Sequence, residues 1–284
     1  MPELPEVQAL AERLTAACAG RVLERVDVLS IQALKTVDPP VQALTGRAVS
    51  GVSRHGKFLD LATDGGPHLV VHLARAGWVH RRESFPAKPP GRRGPLALRL
   101  VLDDGSGFDL TEQGTTKRLA AHVVTDPQQV PGIARLGVDA LAVTPGQLTA
   151  LAAGARQRLK TFLTDQTVLA GIGNAYSDEI LHTARLSPYA LAASLDAEQL
   201  ARLHAAVRHE LGGALEQLRA APVGGLKSEK KAGLAVHGRA GERCPVCGDT
   251  VRSVNFADSS LQYCPTCQTG GRVLADRRLS RLLK

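Results

Sequence analysis

Two cysteine pairs, Cys244-Pro245-Val246-Cys247 and Cys264-Pro265-Thr266-Cys267, stand sixteen residues apart near the end of the chain. Each pair places two sulfurs within reach of one metal ion, and the segment between them can form a β-hairpin. The spacing predicts a tetrahedral site held by Cys244, Cys247, Cys264 and Cys267. Zinc is the expected ion, with iron on the same thiolates as the rival. Four protein ligands leave no open position, so the expectation is one structural Zn2+. The fifth cysteine, Cys18, falls on the apolar face of the first helix pattern and is expected in the core.

The remainder of the chain sets broad bounds. A length of 284 residues suits two or three domains. Hydrophobic residues make up 44% but aromatics only 3%, so Leu, Val and Ala must supply most of the packing. A formal charge of +8 points to a polyanionic partner. No run of about 20 apolar residues predicts a membrane span, and no signal-like segment opens the chain. The expected protein is soluble, intracellular and monomeric, cytoplasmic and nucleoid-associated. Its cysteines should then be thiols or metal ligands rather than disulfides.

Leu4, Val7, Leu10, Leu14 and Cys18 recur at helical spacing. Pro5 suits the first turn of that helix. Glu3 and Glu6 lie where the helix dipole favours anions. Strand patterns follow at Arg21 to Leu29, Arg47 to Ser53, Phe58 to Ala62, Leu69 to Leu73, Leu96 to Leu102 and Phe108 to Thr111. They predict a sandwich or barrel-like domain, with 84–95 as an exposed loop. Beyond a Pro- and Gly-containing linker at 126–146 the pattern turns helical. Leu200, Leu203, Val207, Leu211, Leu215 and Leu218 form one stripe after a predicted N-cap at Asp196. The expected domains are 1–125, 147–235 and 236–284.

The chemistry is expected at the start of the chain, Met1-Pro2-Glu3-Leu4-Pro5-Glu6. With Met1 removed, Pro2 becomes a secondary amine. An α-amino group titrates near ~8 and a lysine near ~10.4, so the terminus is the better nucleophile at neutral pH. Such an amine suits Schiff-base chemistry on a sugar carbonyl. The iminium formed by proline has no N–H proton to lose, stays cationic and acts as an electron sink. Gly56 in His55-Gly56-Lys57 suits a hairpin turn that would hold Lys57 outward. Gly171-Ile172-Gly173-Asn174 suits a tight turn opening a helix over 175–184, whose backbone amides could bind phosphate. Arg272, Arg277, Arg278, Arg281 and Lys284 give a basic tail suited to phosphate contact.

The Pro-Glu-Leu-Pro-Glu start, the Gly56-Lys57 hairpin, the Gly171–Asn174 turn and the four-cysteine finger together resemble the formamidopyrimidine-DNA glycosylase and endonuclease VIII family. The resemblance covers nearly the whole chain in order. It implies an α+β multi-domain fold: an N-terminal β-sandwich with flanking helices, a helical helix-two-turn-helix domain and a C-terminal zinc finger. It further implies a bifunctional DNA glycosylase and AP lyase, acting on double-stranded DNA with damaged bases or abasic sites. Pro2 would attack the sugar C1′ of a flipped-out nucleotide, and Glu3 would shuttle protons. Lys57 and Asn174 would hold phosphates, and His72 likewise. Glu6 would orient the terminus or cap the helix. Lys160, Lys227 and Arg252 complete the expected DNA-contacting set, with Glu6, His72, Arg75 and Asn174.

Four departures from the family pattern bear on substrate choice. Arg75 stands where the family usually carries a gap-filling Met. Thr111 to Arg118 replaces the Asp-Pro-Arg-Arg-Phe-Gly wedge, and Ala257 to Ser260 replaces the hairpin arginine. The 224–238 loop is too short to cap an oxidised purine as in the formamidopyrimidine branch, favouring oxidised pyrimidines or ring-opened products. A DNA-binding protein without turnover is the alternative reading.

Overall fold

The computed structural model describes residues 1–86, 88, 91, 94–220, 233–256 and 259–275. Lys227, the Lys227 to Lys231 segment, Arg277, Arg278, Arg281 and Lys284 lie outside them, as does most of the 224–238 loop. Chain contacts divide the molecule into two units, Met1–Arg135 and Leu136–Lys284.

The first unit opens with helix α1, Leu4–Cys18, over the residues that the apolar spacing marks. Its inward face, from Val7 to Cys18, joins one continuous core with eight strands. These are β1 (Leu23–Val28), β2 (Val49–His55), β3 (Phe58–Thr63), β4 (His68–His72), β5 (Gly77–Arg82), β6 (Leu96–Leu102), β7 (Gly107–Glu112) and β8 (Ala120–Val124). They form two antiparallel four-stranded sheets, ordered β1-β6-β7-β5 and β2-β3-β4-β8. Leu59, Leu61, Leu69 and Val71 of one sheet and Leu98, Leu100, Phe108 and Leu110 of the other lie in that core. Cys18 is fully buried, as expected, and burial raises its thiol pKa to about 11.

The 126–146 stretch is not featureless. It holds a 3-10 turn, Pro127–Gln129, the short helix α2, Pro131–Ala134, and the strand β9, Val138–Asp139, which pairs in parallel with β10, Leu169–Ala170. A side chain at Gly132 would come within 2.5 Å of the Phe58 ring, so only glycine lets α2 settle there.

The second unit continues with α3 (Pro145–Ala153), α4 (Leu159–Thr164), α5 (Asn174–Thr183) and α6 (Ala197–Ala220). Asp196 and Gln199 exchange hydrogen bonds at the start of α6, as the N-cap prediction requires. Leu203, Val207, Leu211, Leu215 and Leu218 are buried along it. The finger follows as a hairpin, β11 (Arg252–Asn255) with β12 (Ser260–Tyr263), and the short helix α7, Pro265–Thr269. Among the described residues no helix is long and apolar enough to cross a membrane.

Candidate functional site

In the first unit the strand register brings the expected residues to one end of the sandwich. His55 pairs with Phe58 across the Gly56-Lys57 turn, Phe58 with His72, and His72 with Ala120 at the start of β8. The Lys57 turn, the end of β4 and the loop entering β8 therefore sit side by side. Helix α1 points its N-terminus the same way. Thr15 Oγ1 is bonded to Val52 and Gln8 Oε1 to Arg54 Nε, while Arg54 also donates to the Gly56 carbonyl.

At that N-terminus Pro2, Glu3 and Glu6 are all buried. Glu3 is the N-cap of α1, and its N–H donates to Glu6 Oε2 at 2.7 Å as half of a capping box. The box satisfies amides that the first helical turn would otherwise leave open. Glu6 therefore caps the helix, 2% exposed. That corrects its place among the DNA-contacting residues: a carboxylate there turns inward and would repel a phosphate. Lys57 also departs from expectation. Gly56 adopts the left-handed conformation of a tight turn, with φ 55°, yet Lys57 is only 8% exposed and does not point outward. The sequence fitted the backbone of the turn but carried no sign of what packs over it. His72 is half-buried, its ring 4.7 Å from that of Phe58. Burial, with the nearby Lys57 charge, holds its pKa down at about 4, so it is neutral at pH 7.

Two loops extend this end. Arg75 is exposed on the Leu73–Gly77 turn. Ala74 takes a positive φ of 52° there, and a Cβ on Gly77 would lie 2.1 Å from the Leu73 carbonyl oxygen. Beside it runs the 113–118 loop, tied to the turn by Gln113 N–H donating to the Ala76 carbonyl at 3.2 Å. The loop is closed at its base by Glu112, 3% exposed. Its carboxylate accepts the N–H of Arg118 at 2.7 Å and of Leu119 at 3.0 Å, and Lys117 donates to its backbone carbonyl. Sequence reasoning registered this segment as a departure but missed the residue that organises it.

In the second unit the Gly171–Asn174 turn opens α5 as expected, one residue earlier than predicted, with Gly171 at φ 105°. Its side chains face the protein. Asn174 Nδ2 donates to the Ser260 carbonyl at 2.8 Å. Lys160 Nζ donates to Asp178 Oδ1 at 2.6 Å and to the Asn174 carbonyl at 2.7 Å. Its side chain is 12% exposed, so the structure turns Lys160 inward, behind the turn, instead of toward a phosphate. Asp178 also takes His237 Nδ1 at 2.7 Å. Glu179 accepts the N–H groups of Ala235, Val236 and His237 at 2.7, 3.1 and 2.7 Å. Its own pKa is raised by burial despite those donors. Asp178, Glu179 and His237 were missed in the sequence. Adjacent acids on a helix look like a solvated face, and their partners at Ala235, Val236 and His237 lie more than fifty residues away.

The four cysteine sulfurs converge. All lie within 4.8 Å of one another, with Cys247 to Cys264 at 3.3 Å and Cys244 to Cys267 at 3.9 Å. Tetrahedral zinc at ~2.3 Å from each sulfur needs sulfurs about 3.8 Å apart, so the cluster fits. Among the described residues it is the sole group of this kind. His182 Nε2 lies 3.3 Å from Cys244 Sγ, giving a ligand a supporting hydrogen bond. Arg252 is exposed at the start of the finger hairpin, opposite Tyr263.

Comparison with known proteins accords with this layout. The formamidopyrimidine-DNA glycosylase N-terminal domain matches residues 1–119, the corresponding H2TH domain matches 136–221, and a zinc finger found in FPG and IleRS matches 241–270. Formamidopyrimidine-DNA glycosylase of Symbiobacterium thermophilum is 34% identical over 98% of this chain and 93% of its own length. An uncharacterized formamidopyrimidine-DNA glycosylase-like protein of Mycobacterium tuberculosis is 58% identical over 52% of this chain and 94% of its own. Among solved structures, MutM in complex with DNA containing carbocyclic 8-oxo-G superposes with a TM-score of 0.83 at 23% identity, over 94% of this chain and 100% of that one. Lactococcus lactis formamidopyrimidine-DNA glycosylase non-covalently bound to AP-site DNA gives 0.82 at 22% identity, over 94% and 99%. With three domain models matched in order and a relative aligned along almost its whole length, the chain belongs to the formamidopyrimidine-DNA glycosylase family.

Proposed function

We propose that the protein is a bifunctional DNA glycosylase and AP lyase that uses Pro2 as its nucleophile. The observation that carries this reading is the grouping at one end of the first unit. Pro2 heads a helix whose first turn is fixed by the Glu3–Glu6 box, beside the Lys57 turn and His72. Once Met1 is removed, the Pro2 nitrogen attacks C1′ of the damaged nucleotide and the N-glycosidic bond breaks. The base leaves with a proton, and the sugar ring opens to an iminium on Pro2. Loss of a proton from C2′ gives an enamine, the nitrogen holding the electron pair, which then returns to re-form the iminium as C2′=C3′ forms and the 3′ phosphate leaves with the C3′–O pair. Repetition toward C5′ releases the 5′ phosphate, and hydrolysis frees the amine.

Glu3 is the group nearest in sequence to that nitrogen and is assigned the proton transfers. A carboxylate held in a low-dielectric site can exchange protons with the ring oxygen and the departing base. Lys57 supplies positive charge for a phosphate beside the lesion, and His72 offers a neutral N–H donor. Arg75 and Arg252 are assigned contacts to the DNA. Asn174 and Lys160 are reassigned: they shape the turn that opens α5 instead of reaching out to phosphate. One Zn2+ on the four cysteines would hold the finger together. The partner is double-stranded DNA with damaged bases or abasic sites, met by a monomeric protein, with oxidised pyrimidines or ring-opened products preferred.

Borohydride reduction tests the reading. Protein mixed with duplex DNA carrying an abasic site should become covalently linked to it, and Pro2→Gly, whose primary amine gives an imine that can lose its N–H proton, should form less of that adduct. No adduct from the unmodified protein with abasic, oxidised-pyrimidine or ring-opened-purine duplexes would contradict it.

A further inference from the structure

The finger hairpin carries an aromatic side chain that the site above does not use. The apolar side chains Val254, Leu261 and Tyr263 are 2%, 1% and 0% exposed and pack with Tyr189 and Leu274. Tyr263 Oη accepts the Leu274 N–H at 2.7 Å, which locks the base of the hairpin. Its other side is polar, with Gln262 Nε2 bonded to Ser260 Oγ at 2.9 Å. Phe256 comes immediately after β11 and breaks this pattern: it is 41% exposed. Its N–H donates to the Ser259 carbonyl at 2.8 Å, so its backbone is set by the hairpin.

Two observations indicate what would cover that ring. Ser260, one residue beyond its hydrogen-bond partner, is held by Asn174 at the first position of α5. The hairpin arm that pairs with the Phe256 backbone is thus tied to the N-terminal end of α5, where the helix dipole favours anions. Arg252, exposed four residues earlier, adds positive charge to the same hairpin. An aromatic surface flanked by anion-attracting groups complements nucleic acid, which joins π-faces to phosphates.

We propose that Phe256 is a nucleic-acid contact that places its ring against a base or wedges at a base step from the groove side. The proposal rests on the reading of DNA as the partner. It also says what the finger uses without an arginine at Ser259 or Ser260: apolar contact, which salt does not screen, in place of a phosphate charge. A hairpin suits this role, because a backbone already fixed loses less freedom on binding. Insertion of apolar side chains between base steps is an established way to grip and bend a duplex.

The test uses the full-length metal-loaded protein and a duplex with a tetrahydrofuran abasic analogue, so no turnover is needed. Phe256→Ala should weaken binding about tenfold with the salt dependence unchanged, since no charge is removed. Phe256→Leu should stay within about threefold of the unmodified protein, because a wedge survives. In Phe256→Trp, DNA should quench or shift emission beyond the response of the native Trp78 alone. Equal affinity for Phe256→Ala, or an indole that does not respond to DNA, overturns the proposal while leaving DNA binding intact. A full-length protein that binds no duplex overturns both this proposal and the reading it rests on.

Discussion

The two units hold their polar side chains by different means. In the first, Glu3, Glu6, Lys57 and His72 rest on one continuous core that runs from Val7 on α1 to Val123 on β8. In the finger the buried apolar clusters are small: Val236, Cys244, Val251 and Cys264 in one, Val254, Leu261 and Tyr263 in the other. Specific bonds compensate there. Glu179 takes three backbone amides, Asp178 joins Lys160 to His237, and the four sulfurs converge. A large core can supply most of the positioning, with the Glu3–Glu6 box fixing the first turn of α1. A small one needs metal and ionic anchors, as small domains generally do.

Metal removal should divide the two regions most sharply. Chelation, or Cys264→Ser, should disorder the finger and lower duplex affinity by about a hundredfold or more, because the binding energy of four-thiolate zinc is folding energy. Hydrogen exchange should leave β2 to β4 protected. Loss of protection in those strands would break the distinction. Next in size is Asp178→Ala, which leaves Lys160 and His237 without their shared carboxylate. It should destabilise the second unit by about 3 kcal/mol in urea unfolding, the usual scale for breaking a buried pair. A change below about 1 kcal/mol would show that packing, not charge, holds this region.

Acid should act on the first unit through His72. Its pKa is about 4 in the fold against 6.5 ordinarily, so the unfolded chain binds more protons between those values. The stability contribution is complete above pH 6.5 and is lost progressively as pH falls toward 4. Near pH 5 unfolding should take up ~0.9 proton at this residue. His122, whose pKa burial also lowers, adds in the same direction. His72→Gln should flatten the stability profile between pH 6.5 and 4.5, and an unchanged slope would contradict the assigned burial. The smallest effect is expected at Glu112→Gln. Replacing a carboxylate that accepts the Arg118 and Leu119 amides should cost about 1–2 kcal/mol. It should also raise hydrogen exchange in the 113–118 loop while leaving α1 unaffected.

Legibility followed the same division. Helix α1 was readable to its ends because Leu4, Val7, Leu10, Leu14 and Cys18 are buried on one face. The four-cysteine site was readable because its geometry is local. Within the sandwich, the strands not foreseen are β5 and β8. On β5 the alternation that marks a strand is lost, because His80, Arg81 and Arg82 are all exposed. Lys57 was misjudged because a glycine turn specifies backbone shape and not what lies over the next side chain. Glu112 and Glu179 were invisible for a related reason. Their partners are backbone amides, which every residue has, so nothing in the side-chain pattern marks the pairing.

The central claim is a covalent bond from the residue 2 nitrogen to deoxyribose. Peptide mapping by mass spectrometry of borohydride-trapped protein addresses it directly. The account predicts that Met1 is absent from the linked species and that the reduced sugar sits on the Pro2 nitrogen. A sugar on a lysine such as Lys57, or an active protein that still carries Met1, would contradict it.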